Sequence, residues 1–410
     1  MQRLRPETDI LTRGFDPRLS VGSARPAVFR SSTYVFSSPE EAERAFDVMS
    51  GRAPADGEGV DLIYSRFNHP NAEILEQQIL PLEPTAVAAA VFNSGMAAIM
   101  TSLLAVVKPG DAIIFTEPIY GGTQTLIADF LRSFGVESIA VPAGRGWELA
   151  EAIASQRNLR VVLIETPANP TIVMTDIREA CEAVGASFSG SERPLVMVDN
   201  TFLGPAFQHP LALGADVSLY SATKYLGGYS DIIGGVALTR DPALMKKIVG
   251  KRNLFGNILQ PDECWILNTR LSTVSLRMNR QSKSAQRIAE ALANHPKIEK
   301  IYYPTLFEDE EQAKIYRRQC DFPGGIISID IRGGKAAAFN FLRNLQIARN
   351  AVSLGGVETL VCHPRTTTHS SWSAADLDAG CIGEGLVRIS VGIEDWRDLL
   401  KDFENALSHA

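Results

Sequence analysis

Six short apolar runs recur through the middle of the chain, and stretches of helical periodicity stand between them. Each run has the length of a single β-strand. Strands that alternate with helices are joined by crossovers, which give a mostly parallel sheet with helices on both faces. We therefore predict an α/β fold for this region. The predicted strands are 112–116, 138–141, 161–165, 195–199, 217–220 and 233–239, and the first predicted helices are 72–80 and 95–107.

The pattern changes after Leu238, where a long helical stretch, 261–295, leads into a smaller last part of the chain. Strand-like and helical runs occur there too, and we predict a smaller α+β domain. We therefore expect a main domain at 66–268 and a C-terminal domain at 269–410. The elements predicted in the C-terminal domain are strands 325–331 and 386–391 and helices 335–344 and 395–407.

Residues 1–65 are polar, irregular and interrupted by prolines, so we do not expect them to pack as a domain of their own. A strand at 31–36 and a helix at 39–49, capped by Ser38, are predicted within this N-terminal arm. The segment 50–61 is rich in Gly, Pro and Ala and is predicted to be a mobile loop. An arm of this kind is suited to clasp a neighbouring subunit.

The composition narrows the functional classes. The 410 residues are 45% hydrophobic, enough for a large core, and the net charge of −7 argues against a nucleic-acid partner. The five cysteines are widely spaced without a C-x-x-C pair, which argues against a zinc site or a disulfide framework. We find no signal-peptide core and no apolar run of membrane-spanning length. We therefore expect a cytoplasmic enzyme that acts on small metabolites.

One lysine stands in a setting that suits covalent chemistry. Lys224 follows the predicted strand 217–220, between the hydroxyl residues Ser221 and Thr223 and the pair Gly227-Gly228. Open α/β sheets bind their ligands at the carboxyl ends of the strands. A Schiff-base lysine needs dry surroundings and a backbone that a ligand can approach closely, and the two hydroxyls could hold a phosphate beside it. The alternative is a surface lysine in a glycine-rich turn.

The apolar strand 195–199 ends in a single carboxylate, that of Asp199. A buried aspartate needs a cationic partner, and the pyridinium nitrogen of pyridoxal phosphate is one. One α/β unit separates Asp199 from Lys224, so acid and lysine would come to the same sheet edge. A helix N-cap aspartate is the alternative.

Two turns supply further polar groups. The turn at 93–99 opens a helix, so the amides of Gly95 and Met96 would lie at a helix N-terminus, which attracts phosphate. In the turn at 165–170, two prolines fix the backbone around Asn169, whose amide could donate to a phenolate oxygen. An ordinary helix start and a rigid turn are the alternatives.

Two more side chains suit a ring and a carboxylate. Tyr120 precedes Gly121-Gly122, which would let its ring lie flat on a ligand ring. Arg388 lies inside an apolar strand, where an unpaired charge would be costly, and its fork suits a substrate carboxylate. A core tyrosine and a structural ion pair are the alternatives.

These residues belong to a series of motifs that resembles a known family, the pyridoxal-phosphate enzymes of cysteine and methionine metabolism. That family includes cystathionine γ-synthase, cystathionine γ-lyase and methionine γ-lyase. The resemblance covers nearly the whole chain and implies pyridoxal phosphate as cofactor, fold type I and a tetramer of two catalytic dimers. In chain order, the motifs are Tyr64-Ser65-Arg66 with Asn68 and Pro70, Ser94-Gly95-Met96-Ala97-Ala98, Tyr120-Gly121, Glu165-Thr166-Pro167-Ala168-Asn169-Pro170, Asp199-Asn200-Thr201, Ser221-Ala222-Thr223-Lys224-Tyr225 and Ser353-Leu354-Gly355-Gly356.

The resemblance implies roles for the residues around the cofactor ring. Lys224 would bind the cofactor covalently and serve as the base, and Asp199 would pair with the ring nitrogen. Tyr120 would stack on the ring and assist departure of the leaving group, and Asn169 would face the phenolate oxygen.

The remaining roles concern the phosphate and the substrate. Arg388 and Ser353 would bind the substrate carboxylate, and the neighbouring subunit's Tyr64 and Arg66 would complete the phosphate site and also bind the substrate. The other phosphate-binding residues would be Gly95, Met96, Ser221 and Thr223.

Three positions depart from the family pattern. Gly122 stands where methionine γ-lyases carry a cysteine, and Arg252-Asn253 stands in place of their Lys-Asp segment. Val352 precedes Ser353, where cystathionine γ-lyases usually carry a glutamate. These differences argue against methionine or cystathionine as the main substrate and favour a wider pocket for a bulkier or more polar leaving group.

Canavanine, whose γ oxygen carries a guanidine, is one substrate that such a pocket would admit. We hypothesise that Asp56, Glu58 or Asp61 supplies negative charge near that cationic end. Solvated loop charges are the alternative.

The predicted function is γ-elimination on a C4-substituted L-2-amino acid such as canavanine, methionine or a homoserine derivative. The alternative within the class is γ-replacement, of the cystathionine γ-synthase or O-acyl-homoserine sulfhydrylase type, which would use the same residues. An alternative from another class is a binding protein that kept the fold and lost the chemistry. The presence of both Lys224 and Asp199 argues against it.

Overall fold

The computed structural model describes residues 4–54, 62–190 and 193–410. Within these residues the chain forms two sheets, one of seven strands and one of five. The strands are β1 Ala88–Phe92, β2 Ala112–Glu117, β3 Glu137–Pro142, β4 Leu159–Glu165, β5 Leu195–Asp199, β6 Val217–Ser221, β7 Gly235–Thr239, β8 Ile298–Tyr302, β9 Ile326–Ile331, β10 Arg349–Asn350, β11 Leu360–Cys362 and β12 Leu386–Ser390.

Helices cover the large sheet and flank the small one. The helices of the described residues are α1 Pro6–Asp9, α2 Pro39–Ser50, α3 Pro70–Ile79, α4 Gly95–Leu104, α5 Gly121–Thr125, α6 Gly146–Ser155, α7 Ile177–Ser187, α8 Pro242–Phe255, α9 Pro261–Leu271, α10 Val274–Leu292, α11 Glu310–Gln319, α12 Gly334–Asn344, α13 Ala374–Ala379 and α14 Trp396–Ser408.

The large sheet has the order β1-β7-β6-β5-β4-β2-β3 and is mostly parallel, as predicted. Only β7 runs against its neighbours β1 and β6. The central strands are apolar along nearly their whole length because helices cover both faces, so that alternate side chains enter two different cores. This arrangement brings the carboxyl ends of β4, β5 and β6 to one edge of the sheet.

The smaller sheet, of order β10-β11-β12-β9-β8, is mostly antiparallel. The predicted strands 325–331 and 386–391 correspond to β9 and β12, and the predicted helices 335–344 and 395–407 to α12 and α14. The strands β8, β10 and β11 were not predicted from the sequence. In β8 two adjacent charged residues, Glu299 and Lys300, are exposed, which weakens the apolar signal of the strand.

The predicted strand 31–36 is wrong. Thr33 forms only an isolated bridge with Tyr64, and the flanking residues are not paired as a strand. The side chain of Val35 is 95% exposed, so burial of apolar surface does not hold this segment against a sheet.

The helix predicted at 39–49 is confirmed as α2, and the Ser38 side chain accepts from the Glu41 backbone N–H as an N-cap. The predicted helical stretch 261–295 is divided into α9 and α10, with Ser272 and Thr273 between them.

Among the described residues, none of the helices is both long enough and apolar enough to cross a bilayer.

A buried aspartate on α14 stabilises the smaller sheet region. The carboxylate of Asp402, which is 4% exposed, accepts from the backbone N–H groups of Gln346, Ile347 and Ala348 at 2.8, 3.0 and 3.0 Å. A single side chain therefore satisfies three consecutive donors in the segment between α12 and β10.

We expect Asp402→Ala to lower the free energy of unfolding by about 3 kcal/mol, because three backbone donors lose their acceptor. Urea unfolding followed by circular dichroism measures the change. Glu404→Ala, which removes an exposed carboxylate from the same helix, is the control and should change it by less than about 0.5 kcal/mol. Equal losses in the two variants would contradict this account of Asp402.

Candidate active site

One cavity lies at the carboxyl ends of β4, β5 and β6, beside the N-terminus of α4. Nine of the residues predicted from the sequence line it, and Ser353 reaches it through a hydrogen bond from Lys224. The nine are Gly95, Met96, Tyr120, Asn169, Asp199, Ser221, Thr223, Lys224 and Arg388.

Lys224 lies within the cavity and is not a surface lysine. Its Nζ donates to the Ser353 hydroxyl at 3.0 Å. Burial, with a further contribution from the charge of Arg388, lowers the pKa of Lys224 to about 8. The amine therefore loses its proton far more readily than that of an ordinary lysine, as a nucleophile or base requires.

The first turn of α4 fits closely against the end of β6. Ser94 caps the helix by accepting from the Ala97 N–H at 3.0 Å. A Cβ at Gly95 would lie only 2.9 Å from the Cβ of Ser221, so glycine is required for this approach. The helix N-terminus and the hydroxyl residues Ser221 and Thr223 thus border the same end of the cavity, a donor set that suits a phosphate.

Two carboxylates stand side by side at the base of the cavity. Glu165 and Asp199 are register partners at the ends of β4 and β5. Burial raises the pKa of both, and the negative charge of Asp199 contributes further to bring that of Glu165 to about 8. Both hydrogen bonds that the described residues donate to Asp199 come from Thr201 and go to Oδ1, at 3.1 and 2.5 Å. A protonated pyridine nitrogen is the kind of cation that this site favours.

Arg388 is buried, 2% exposed, and its hydrogen bonds go to neutral acceptors. Nη1 donates to Asn169 Oδ1 at 2.9 Å, and Nη2 donates to the carbonyls of Val352 and Ser353 at 3.0 and 3.1 Å. Among the described residues its guanidinium has no carboxylate partner, and its buried Nε has no hydrogen bond. A structural ion pair is therefore not observed, and the positive charge is available to an anionic ligand.

Tyr120 lies at the start of α5 with its ring above Gly122. A Cβ at Gly122 would lie 2.7 Å from Cε1 of that ring and 3.2 Å from the Met96 sulfur. A larger residue at position 122 would clash with the ring, so the glycine is needed for Tyr120 to adopt this position. Tyr120 is 45% exposed and borders the cavity, so it is not a core tyrosine.

Besides Ser353, Tyr64 and Arg66 are the predicted site residues that do not line the cavity of their own chain. Both are exposed on the surface. Arg66 Nη1 donates to the Asn253 carbonyl at 2.6 Å, and the guanidinium carbon lies 5.8 Å from the centre of the Tyr64 ring.

Comparison with known proteins agrees with this geometry. The family model described as Cys/Met metabolism PLP-dependent enzyme matches residues 7–408. The chain belongs to this family. Its members are enzymes that use pyridoxal phosphate, and the helix N-terminus beside Ser221 and Thr223, the paired carboxylates and the half-buried lysine described above fit that cofactor.

Several relatives cover nearly the whole chain. It is 36% identical over 387 residues to an L-methionine gamma-lyase of Fusobacterium nucleatum subsp. polymorphum, covering 94% of each protein. It is 38% identical to a cystathionine gamma-lyase of Bacillus subtilis (strain 168), covering 89% of this chain and 93% of the relative. The crystal structure of cystathionine gamma synthase from Xanthomonas oryzae pv. oryzae in complex with cystathionine has a TM-score of 0.89 at 31% identity, covering 100% of this chain and 99% of the other.

The positions that depart from the family pattern differ in their location relative to the cavity. Val352 is 56% exposed and lines the cavity. Arg252 is buried, pairs with Glu76 at 2.6 Å and does not line the cavity. The acids Asp56, Glu58 and Asp61 lie outside the described residues.

Sequence reasoning missed three contributors to this site. Thr201 holds Asp199, Thr368 lines the cavity, and the Glu165 carboxylate binds two backbone N–H groups. Thr201 and Glu165 stand within motifs that the sequence displays, but nothing in those motifs reveals which atoms they contact. Thr368 comes from a distant segment and carries no local signal.

We expect covalent capture of pyridoxal phosphate by the cofactor-free protein to follow the ionisation of Lys224. The rate, measured by borohydride trapping, should rise with pH to a half-maximum at about pH 8, because only the neutral amine attacks a carbonyl carbon. Lys224→Ala is the control and should trap no cofactor at the site. A half-maximum near the ordinary lysine value of 10.5 would contradict the effect of burial.

Proposed function

We propose that this enzyme catalyses γ-elimination on an L-2-amino acid that carries a leaving group at C4. The observation that carries the proposal is that Lys224 and Arg388 line the same cavity. The lowered pKa of Lys224 lets its amine become neutral, and its Nζ donates to Ser353, while the guanidinium of Arg388 has no carboxylate partner among the described residues. A base and a carboxylate-binding cation are therefore close together, as proton removal from Cα of an amino acid requires.

The residues around the cavity divide into a phosphate end and a ring end. Asp199 would hold the ring nitrogen, Asn169 would donate through its Nδ2 to the phenolic oxygen, and Lys224 would bind the cofactor covalently. Asn169 is oriented for this role, because its Oδ1 accepts from Arg388 and its Nδ2 is left to donate to the cofactor. The phosphate would be held by Gly95, Met96, Ser221 and Thr223.

Pyridoxal phosphate, when bound, supplies an electron sink that spreads the negative charge left at Cα when its proton is removed. Arg388 and Ser353 bind the substrate carboxylate and orient the Cα–H bond toward Lys224 Nζ. Once the substrate amine has displaced Lys224 from the cofactor, the freed Nζ would remove that proton and, after releasing it, would take a second proton from Cβ. The electron pair freed at Cβ would then expel the group on Cγ. Tyr120 gives the leaving group a proton from its hydroxyl. Water then completes conversion of the carbon skeleton to a 2-oxo acid and ammonia.

The mouth of the cavity supports a substrate with an uncharged side chain. Val352 and Ile233 line it and are 56% and 63% exposed, so that apolar surface would contact the γ-substituent. A thioether or an ester fits such a wall, because neither loses a charge–water interaction on entry. Canavanine, with its cationic end, stays a prediction that depends on residues outside the described part of the chain.

We further propose that the neighbouring subunit supplies Tyr64 and Arg66, within a homotetramer of two catalytic dimers. Their exposure, and their position away from the cavity of their own chain, support this assignment. We assign the enzyme to the cytoplasm, and the five free cysteines are consistent with a reducing compartment.

The purified holoenzyme should release 2-oxobutanoate and ammonia in equal amounts from methionine, cystathionine or O-acetylhomoserine. Canavanine is the cationic member of the panel. Each substrate is assayed with and without added cysteine, and keto acid, ammonia and thioether are quantified. Lys224→Ala should lower the rate by about 1,000-fold or more, because it removes the base.

Each outcome of this panel is decisive. Thioether formation that depends on cysteine, without keto acid in its absence, would assign γ-replacement instead. Pyruvate from cystathionine would indicate cleavage at Cβ. Absence of every product from a holoenzyme that binds its cofactor would favour the non-catalytic alternative.

Mixed dimers test the contribution of the neighbouring subunit. One subunit carries Lys224→Ala and the other carries Arg66→Ala, with two affinity tags for purification of the mixed species. If Arg66 serves the neighbouring cavity, one of the two sites is intact and activity should be about half that of the wild type.

If Arg66 serves its own cavity, both sites of this dimer are defective and activity should fall to that of the single variants. A dimer of wild-type and Lys224→Ala subunits is the control, since it keeps one intact site under either arrangement.

A further inference from the structure

The carboxylate of Glu165 joins two separate loops of the active site. Its Oε2 accepts from the backbone N–H of Tyr120 at 2.8 Å, and its Oε1 accepts from the backbone N–H of Asn169 at 2.8 Å. Glu165 is 5% exposed, so water does not compete freely for these bonds. Both oxygens of one side chain are thus engaged by the two loops.

Glu165 is itself firmly held. It is the last residue of β4, and its backbone N–H donates to the Thr116 hydroxyl of β2 at 3.3 Å. Asp199 is its register partner on β5. The carboxylate therefore extends from an interior strand of the parallel sheet, paired on both sides, toward loops that lie outside the sheet.

The same two loops are bordered from another side by the histidine of the segment after β11. His369 is fully buried, and the backbone carbonyls of Asn169 and Ile119 lie close enough to its ring to raise its pKa. Burial and the charge of Arg388 outweigh that effect and lower the pKa to about 4, so the ring is neutral. Glu165 thus contacts the N–H side of the two loops while His369 faces their carbonyls.

We infer that Glu165 is a positioning residue that sets the places of Tyr120 and Asn169 relative to the cofactor ring. The inference rests on the proposed function only in assigning those two side chains to the ring. Tyr120 would meet a ring face and Asn169 its phenolic oxygen, so a shift of either loop would change how the ring is held. Glu165 itself contacts their backbone and acts through them.

The chemistry requires a carboxylate at this position. Two N–H donors approach two different oxygens, and a carboxylate presents acceptors on both. Glutamine has a single carbonyl oxygen, so one N–H would face an amide NH₂ and be repelled. Aspartate keeps both acceptors, but its side chain is one methylene shorter and cannot reach both loops in their present places.

Glu165→Gln is the principal test, made in the full-length holoenzyme. Glu117→Gln is the matched control, because Glu117 ends the neighbouring strand β2 and its carboxylate accepts from Gln124 rather than from either loop. Visible circular dichroism per bound cofactor reports the asymmetry around the ring. Cofactor affinity, kcat and KM for the best substrate of the panel, and the thermal midpoint are measured beside it.

We expect Glu165→Gln to weaken cofactor binding by about tenfold, the effect of one lost hydrogen bond. Its visible circular dichroism should be reduced while that of Glu117→Gln stays as in the wild type. A displacement of about 1 Å should lower kcat by about 100-fold, with KM changed by less than about threefold.

A lowered thermal midpoint with unchanged visible circular dichroism and unchanged kcat would overturn the inference, because Glu165 would then be structural only. If Glu165→Gln does not fold, Glu165→Asp replaces it. Reduced visible circular dichroism in that variant supports the inference, and a wild-type spectrum overturns it. The spectra and cofactor affinity need no substrate, so they are independent of whether the wild type performs γ-elimination.

Discussion

The register between β4 and β5 is the constraint on which the active site depends. Parallel pairing places Glu165, which is buried, and Asp199, which is half-buried, side by side at the ends of two buried strands, where water stabilises two adjacent negative charges poorly. Burial raises the pKa of both groups, which makes this edge of the sheet a site for a cation. A one-residue slip of either strand would turn one carboxylate to the other face, and the pair would be lost.

The second requirement is a contact between the two sheets. Arg388 on β12 of the smaller sheet reaches Asn169, which follows β4 of the larger one, at 2.9 Å. Lys224, after β6, reaches Ser353 at 3.0 Å. The groups that we propose for the substrate and those that we propose for the cofactor therefore come from regions of different sheets, and the cavity lies where these regions meet. Because the guanidinium has no carboxylate partner among the described residues, the folded protein keeps a buried positive charge for its ligand.

The strands that carry the site could be predicted from the sequence where their side chains are buried on both faces of the sheet. The strand at 195–199 is uniformly apolar up to Asp199, and its structural bounds are the predicted ones, since burial on both faces leaves an uninterrupted signal. The strand predicted at 31–36 failed because β-branched and aromatic residues there are not buried, as Val35 illustrates. The strand β8 was missed because Glu299 and Lys300 interrupt its apolar residues. The β-propensity of a segment predicts a strand correctly where the side chains are also buried, and it fails where they are not.

The sequence by itself determined the alternation of strands and helices and the family, and it indicated the roles that we propose for Lys224, Asp199 and the turn at 93–99. These depend on residue type and on neighbours along the chain. The tertiary structure decided what depends on distance between segments: the pairing of Glu165 with Asp199, the bonds from Glu165 to Tyr120 and Asn169, and the approach of Arg388 to Asn169. Arg388 and Asn169 are separated by 219 positions, and only the packing of the two sheets brings their side chains together.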